Sequence, residues 1–173
     1  MKQRILIPTD FSKNAFNAIQ YAMRLFETEK CEFFILHSHY LSGYSKDNLL
    51  IPEPSKAARK AEDEKAKVRM DKLKVQMEHY QSNKNHSFKY LSEFGSFYDV
   101  MKKTVEREDI QLVVMGTQGQ SDKRTVIVGS NAVNIMEKIR ACPVFAIPVN
   151  ARFKEPNEIV FPTSFRTHYK LKE

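Results

Sequence analysis

The sequence has few of the features that mark secreted and membrane proteins. It contains two cysteines in 173 residues, Cys31 and Cys142, without paired spacing, which argues against a disulfide framework and favours a reducing compartment. No apolar run approaches the roughly 20 residues that a membrane helix needs. The apolar stretch Ile5–Ile7 ends at Pro8 and is shorter than the roughly 7–15 residues of a secretion signal. These absences predict a cytoplasmic chain without membrane association.

Several signatures of enzymes and metal sites are also missing. The sequence has no Walker A motif, Gly-x-Gly-x-x-Gly fingerprint, His-Glu-x-x-His motif or nucleophile elbow. His37 and His39 alternate on one face of a predicted strand, but no cysteine or carboxylate stands at metal-ligand spacing from them. These patterns predict neither a catalytic set nor a metal site.

The net charge of +7 raises the question of a polyanionic partner. Much of the excess lies between Lys56 and Lys84, with nine basic and five acidic residues. Apolar residues recur there at helical spacing: Ala66, Met70, Leu73, Met77 and Tyr80. Because this spacing puts the charges on the opposite face, the segment predicts a long amphipathic helix with a solvated side. We therefore predict no nucleic-acid partner.

Five short apolar runs alternate with helical patterns, which predicts a doubly wound α/β fold around a parallel sheet. Ser12 is a predicted N-cap, and Ser96 with Asp99 forms a predicted capping box. Residues 41–54 are predicted to form an irregular excursion after the second strand. The five runs are Arg4–Pro8, Glu32–Ser38, Ser87–Ser92, Ile110–Met115 and Pro143–Val149.

One internal repeat bears on domain organisation. Residues Arg4–Ser12 resemble Glu158–Arg166 at an offset of 154 residues, with Ser164 in the place of Asp10. The offset is about one domain length. This predicts one complete domain over residues 1–150, followed by a linker and the first strand of a truncated second copy over residues 151–173. The alternative is chance similarity between two strand–turn segments.

A glycine-rich stretch follows the fourth predicted strand. It begins with Met115, Gly116 and Gly119, and after nine residues reaches Gly129, Ser130 and Asn131. Glycines let a backbone approach a ligand closely, and open α/β sheets bind ligands at the carboxyl ends of their strands. The N–H groups at the start of the next helix favour phosphate, and the Ser130 hydroxyl either donates to phosphate or caps the helix. The alternative is a loop that only turns the chain.

The order Gly-x2-Gly-x9-Gly-Ser resembles the ATP-binding signature of the universal stress protein family. Other segments that resemble this family are Ile5–Ser12, Leu36-His37, Gly95 and Cys142–Pro148. The resemblance implies a Rossmann-like, five-stranded parallel sheet in the order 3-2-1-4-5, with helices on both faces. It also implies that ATP lies across the carboxyl ends of the strands.

The resemblance implies ten nucleotide-binding positions. Those on the nucleoside side are Pro8, Thr9, Asp10, Ser38, Met115 and Gly116, and those on the phosphate side are Gly119, Gly129, Ser130 and Asn131. Asp10 is expected to bind the ribose hydroxyls, or alternatively to cap the first helix through an Asx turn. Lys123 and Arg124 are expected either to neutralise phosphate charge or to be solvated loop residues.

The preferred function is an ATP-binding stress-response module that regulates a dimer or partner binding, with Mg²⁺ accompanying the ATP. A slow ATPase or phosphoryl-transfer enzyme and a scaffold that binds no nucleotide are the alternatives. The strand Cys142–Val149 is predicted to be an apolar sheet edge. Such an edge invites a second strand, so we expect a homodimer. The alternative is a monomer whose tail folds back over its own edge.

Overall fold

The computed structural model describes residues 2–40, 55–80, 83–119, 129–158 and 160. In this part of the chain, five β-strands alternate with four α-helices. The elements are β1 (Gln3–Pro8), α1 (Lys13–Leu25), β2 (Cys31–His39), α2 (Lys56–Glu78), β3 (His86–Phe94), α3 (Phe97–Arg107), β4 (Leu112–Gly116), α4 (Ser130–Lys138) and β5 (Val144–Ile147).

The strands form one parallel sheet in the order β3-β2-β1-β4-β5. Leu6 of β1 pairs with Phe34 of β2 on one side and Val113 of β4 on the other. The predicted doubly wound α/β fold and its strand order are confirmed. The order reverses between β1 and β4, and at such a reversal the loops diverge and leave a crevice.

The sheet is covered on both faces, because its central strands are apolar at successive positions. Ile5 and Ile7 face a core shared with α1 and α2, whereas Leu6 faces a core shared with α3 and α4. Helix residues of the first core include Ala18, Ile19, Met70, Leu73 and Met77, and those of the second include Val100, Met101, Val105, Ala132 and Ile135.

Three helices begin with a serine cap. Ser12 Oγ accepts a hydrogen bond from Ala15 N–H at 3.1 Å, Ser55 Oγ from Ala58 N–H at 3.1 Å, and Ser96 Oγ from Asp99 N–H at 3.2 Å. The predicted caps at Ser12 and Ser96 are therefore confirmed. The fourth helix differs, because Gly129 occupies its N-cap position. The predicted alternative that Ser130 caps this helix is wrong, since Ser130 is already its first helical residue.

Helix α2 has the predicted amphipathic character, with Ala66, Met70, Leu73 and Met77 buried. Tyr80 differs from the prediction. It follows the end of the helix and is 44% exposed, with its ring against Phe16 at a centroid distance of 5.6 Å. Within the described ranges, no helix is both long and apolar enough to cross a membrane.

The two cysteines have different surroundings. Cys31 is fully buried, and desolvation, with a smaller contribution from Glu29, raises the pKa of its thiol to about 11. Cys142 is half-buried, and burial raises its pKa as well. A raised pKa disfavours the thiolate, so both behave as small apolar residues.

The chain after β5 turns back onto α1. Asn17 Nδ2 donates to the carbonyl of Ala151 at 3.0 Å, and Phe153 packs edge-on against Tyr21 at 5.2 Å. Strand β5 itself is shorter than the predicted Pro143–Val149. Most of the predicted second copy and all of the predicted excursion 41–54 lie outside the described residues.

Candidate functional site

A cleft with a volume of about 230 Å³ opens at the carboxyl ends of β1, β2 and β4. It lies at the reversal of strand order, where open α/β sheets bind ligands. All ten positions implied by the family resemblance border it: Pro8, Thr9, Asp10, Ser38, Met115, Gly116, Gly119, Gly129, Ser130 and Asn131. Lys123 and Arg124 lie outside the described residues.

The loop between β1 and α1 is held by hydrogen bonds of its own. Asp10 Oδ1 accepts from Ser12 N–H at 2.9 Å, which is an Asx turn leading into the Ser12 cap. Thr9 Oγ1 accepts from Phe11 N–H at 3.0 Å. The Asx-turn role considered for Asp10 is therefore present. It does not exclude ligand contact, because an ionised carboxylate has about four acceptor sites.

Phe11 is strained, with a φ of 64° in the left-handed region. For a bulky residue this backbone conformation is uncommon and persists only when its surroundings enforce it. Two neighbours contact the Phe11 ring. The Cζ of Arg69 lies 4.4 Å from its centroid, and the centroid of the His37 ring lies 4.4 Å from it. Tertiary contacts from α2 and β2 thus hold the turn that presents Asp10.

His37 is buried at the floor of this loop and also borders the cleft. Its Nδ1 donates to the carbonyl of Thr9 at 2.8 Å. Burial lowers the pKa of His37, and the nearby His39 and Arg69 add to that effect. A neutral ring that donates through Nδ1 carries an acceptor at Nε2.

Gly116, the last residue of β4, is required by packing. A Cβ at this position would lie 2.6 Å from Asn14 Nδ2 and 2.9 Å from Asn14 Cγ. Asn14 is buried and donates through Nδ2 to the carbonyl of Gln118 at 2.9 Å. The glycine therefore lets α1 approach β4, and the asparagine in turn shapes the chain that leads to Gly119.

Gly119 lies next to Asp10 in the cleft. A Cβ on Gly119 would lie 3.2 Å from Asp10 Oδ2. The glycine-rich chain after β4 thus passes directly beside the carboxylate at the end of β1. Because glycine lacks a side chain there, the backbone borders the cleft itself.

The start of α4 faces the cleft through Gly129, Ser130 and Asn131. Gly129 N–H is bonded to the carbonyl of Thr117, which ties the helix start to the end of β4. Ser130 and Asn131 are exposed. The N–H groups of a helix's first turn have no intrahelical acceptor, and the helix dipole makes this end favourable for an anion.

Sequence patterns missed seven lining residues: Ala15, His37, Tyr40, Phe97, Thr117, Gln118 and Ala132. Strand alternation extended from Ser38 to Tyr40 is a signal that finds Tyr40, which is 57% exposed. Phe97 begins α3 and reaches the cleft only because the helix folds back over the sheet. His37 was considered only as a metal ligand.

The pair His37 and His39 forms a packed stack, with ring centroids 5.7 Å apart. His39 Nε2 lies 2.7 Å from Asp63 Oδ1 of α2. Among the described residues, no three histidine, cysteine or acidic side chains converge as a metal site requires.

The profile of the universal stress protein family matches residues 1–148. Universal stress protein MJ0577 of Methanocaldococcus jannaschii is 25% identical over 151 residues, which cover 80% of this chain and 90% of that protein. The structure of universal stress protein UspA from Lactobacillus plantarum superimposes with a TM-score of 0.71 at 20% identity, covering 84% of this chain and 97% of the other.

Two further solved structures carry nucleotides. A universal stress protein in complex with cAMP has a TM-score of 0.58 at 15% identity and covers 84% of this chain and 96% of its own. A universal stress protein family protein from Arabidopsis thaliana with AMP bound has a TM-score of 0.50 at 16% identity, covering 84% and 90%. These similarities support the fold, and the family profile spans all five strands of the sheet. The chain belongs to the universal stress protein family.

Proposed function

We propose that this protein is an ATP-binding module whose nucleotide occupies the cleft at the carboxyl ends of β1, β2 and β4. The observation that carries the proposal is the proximity of Asp10 and Gly119: a Cβ on Gly119 would lie 3.2 Å from Asp10 Oδ2. It joins a hydroxyl-binding group to a phosphate-binding loop within one cleft. Family members solved with cAMP and AMP support an adenine nucleotide as the ligand class.

The residues present suit the parts of a nucleotide. The Asp10 carboxylate accepts hydrogen bonds, as ribose hydroxyls require. Ser38, Met115 and the rings of Tyr40 and Phe97 provide a mixed polar and aromatic border for the base. Binding pockets of this kind combine apolar walls with a few placed polar groups.

The phosphates are assigned to Gly119, Gly129, Ser130 and Asn131. Backbone N–H groups and the dipole of α4 favour negative charge there. Mg²⁺ is expected to arrive with ATP and to be held mainly by phosphate oxygens and water, as is usual for this ion.

We infer binding rather than rapid turnover. Phosphoryl transfer needs positioned metal charge and a residue that orients the nucleophile. Among the described lining residues, Asp10 and His37 are the side chains with acid–base chemistry suited to catalysis, and both already hold the β1–α1 loop. The proposed role is therefore regulatory, with nucleotide occupancy controlling assembly or partner binding in the cytoplasm.

For assembly, we propose a homodimer through β5. This strand pairs with β4 on one side, and within the described ranges no strand pairs with its other side. Phe145 is 38% exposed on it. Unpaired strand edges invite a second strand. Light scattering at micromolar concentrations tests this, since a mass of 20.2 kDa at every concentration would contradict the dimer.

Calorimetric titration with ATP and Mg²⁺ tests the binding proposal, with GTP as the control for the base. We expect ATP to bind more tightly than GTP, and no heat at millimolar ATP would overturn the proposal. Mass spectrometry of the purified protein tests for co-bound adenine nucleotide. Hydrolysis at about 1 s⁻¹ or faster, abolished by Asp10→Ala, would favour an enzyme instead.

A further inference from the structure

Arg69, on α2, contacts the Asp10 loop from 59 residues away in sequence. Its Nη2 donates to the carbonyl of Asp10 at 3.0 Å. Its Cζ lies 4.4 Å from the centroid of the Phe11 ring. One guanidinium therefore contacts both the backbone of Asp10, the residue proposed to bind ribose, and the side chain of Phe11 next to it. A planar guanidinium suits this pair of tasks, because it donates in its own plane and stacks on its face.

The loop needs such a contact. Phe11 has a φ of 64°, and a bulky residue keeps this conformation only when its neighbours enforce it. Its N–H is bonded to Thr9 Oγ1, and His37 supports the ring from the sheet side. Arg69 provides the support from α2. Without it, Phe11 would be held in the left-handed region less firmly, by Thr9 and His37 alone, and the Asp10 carboxylate on the same backbone would be positioned less well.

We propose that Arg69 is the positioning residue of Asp10 and thereby sets how strongly the cleft recognises ribose hydroxyls. This inference rests on the proposed function, because it assigns Asp10 to the ribose. It adds α2 to the site, although Arg69 does not border the cleft. It also makes α2 the element whose position is linked to nucleotide occupancy, since any contact that stabilises the Asp10 loop is stabilised by the loop in turn.

The same helix offers a matched control. Arg59, also exposed on α2, lies with its Cζ 4.6 Å from the centroid of the Phe94 ring. R69M and R59M each remove one guanidinium from α2 and one contact between a guanidinium and a phenylalanine ring. Only the first loses the bond to Asp10.

The experiment compares ATP with 2′,3′-dideoxy-ATP by calorimetry. Because the dideoxy nucleotide lacks the hydroxyls that would donate to the Asp10 carboxylate, we expect the wild type to bind ATP about 10-fold more tightly. R69M should reduce this preference to about 2-fold, whereas R59M should keep it. A general loss of stability would weaken both nucleotides equally and leave the ratio unchanged. R69M with the full preference for ATP would overturn the inference.

A second measurement separates this inference from the binding proposal. Hydrogen exchange in the ligand-free protein reports on the Ser12 amide, which is bonded to Asp10 Oδ1. We expect this amide to exchange about 10-fold faster in R69M than in R59M. If the wild type bound no nucleotide, the proposed function would fail while faster exchange still supported Arg69 as the residue that positions Asp10. Equal exchange in the two variants would overturn that role.

Discussion

The β1–α1 loop and the start of α4 border the same cleft but are built in opposite ways. The first is closed by its own bonds: Asp10 Oδ1 to Ser12 N–H, Thr9 Oγ1 to Phe11 N–H, and the Ser12 cap on α1. The second begins at Gly129, which has no side chain with which to cap α4. The other three helices all begin with a capping serine.

The difference indicates how a nucleotide would be held. A loop whose groups are already bonded presents its carboxylate in a fixed place, so little ordering remains for the ligand to drive. A helix start without a capping side chain leaves N–H donors for an anion. Under the proposed function, the ribose side would thus be organised in advance, and the ligand would complete the phosphate side.

The largest effect is expected from filling the space between Gly119 and Asp10 with a side chain. Gly119→Val places a branched side chain within about 3 Å of the Asp10 carboxylate and covers the backbone that phosphate must approach. ATP affinity should fall about 100-fold, the loss of charge-assisted hydrogen bonds on both sides. The unfolding free energy should change by less than about 1 kcal/mol, because Gly119 is exposed. Calorimetry and urea unfolding measure the two quantities, and unchanged ATP affinity would contradict the assignment.

Gly116 gives a matched comparison in which stability rather than binding suffers. Gly116→Ala puts a Cβ 2.6 Å from Asn14 Nδ2 in a buried contact, and overpacking of this kind should cost about 2 kcal/mol in unfolding free energy. Gly119→Ala meets only the end of the Asp10 side chain, at 3.2 Å, and a small shift relieves this contact, so its cost should stay below about 0.5 kcal/mol. Urea unfolding of both variants decides it, and equal losses would show that Gly116 is not the close-packed position.

Ser12 and Ser130 allow the β1–α1 loop to be compared with the start of α4. Ser12→Ala removes the cap of α1 and should lower the unfolding free energy by about 1 kcal/mol. Ser130→Ala removes no cap, so stability should stay within about 0.5 kcal/mol while ATP affinity falls about 5-fold. Thermal unfolding and calorimetry of both variants are the measurements. A loss of stability in Ser130→Ala equal to that in Ser12→Ala would contradict the difference.

The smallest effect is expected on the pH dependence of stability, through His37 beneath the β1–α1 loop. Because the folded-state pKa of His37 is lowered from its ordinary value of 6.5, the unfolded chain takes up a proton first as the pH falls through that region. Stability is therefore full above pH 6.5 and declines below it, by at most about 1.4 kcal/mol per pH unit. Relative to His37→Gln, the wild type should lose stability between pH 7.5 and 5. A constant difference across this range would contradict the lowered pKa.

Local signals accounted for much of this molecule. Short apolar runs and helical stripes predicted five strands and four helices in the observed order, and Ser12 and Ser96 were predicted caps. The resemblance carried by residues 115–131 led to ten positions that the structure brings to one cleft. Strand ends were less predictable: β5 is shorter than Pro143–Val149 because only Val144–Ile147 pairs with β4.

The sequence by itself determined the fold class and the identity of the glycines beside the cleft, since both depend on short-range chemistry. The strand order came only from the resemblance to the family. Only the tertiary structure decided why Gly116 is needed, that Phe97 borders the cleft, and that Arg69 of α2 holds Asp10. Those relations join residues 59 to 104 positions apart. No local pattern encodes them, because they arise only when helices pack against the finished sheet.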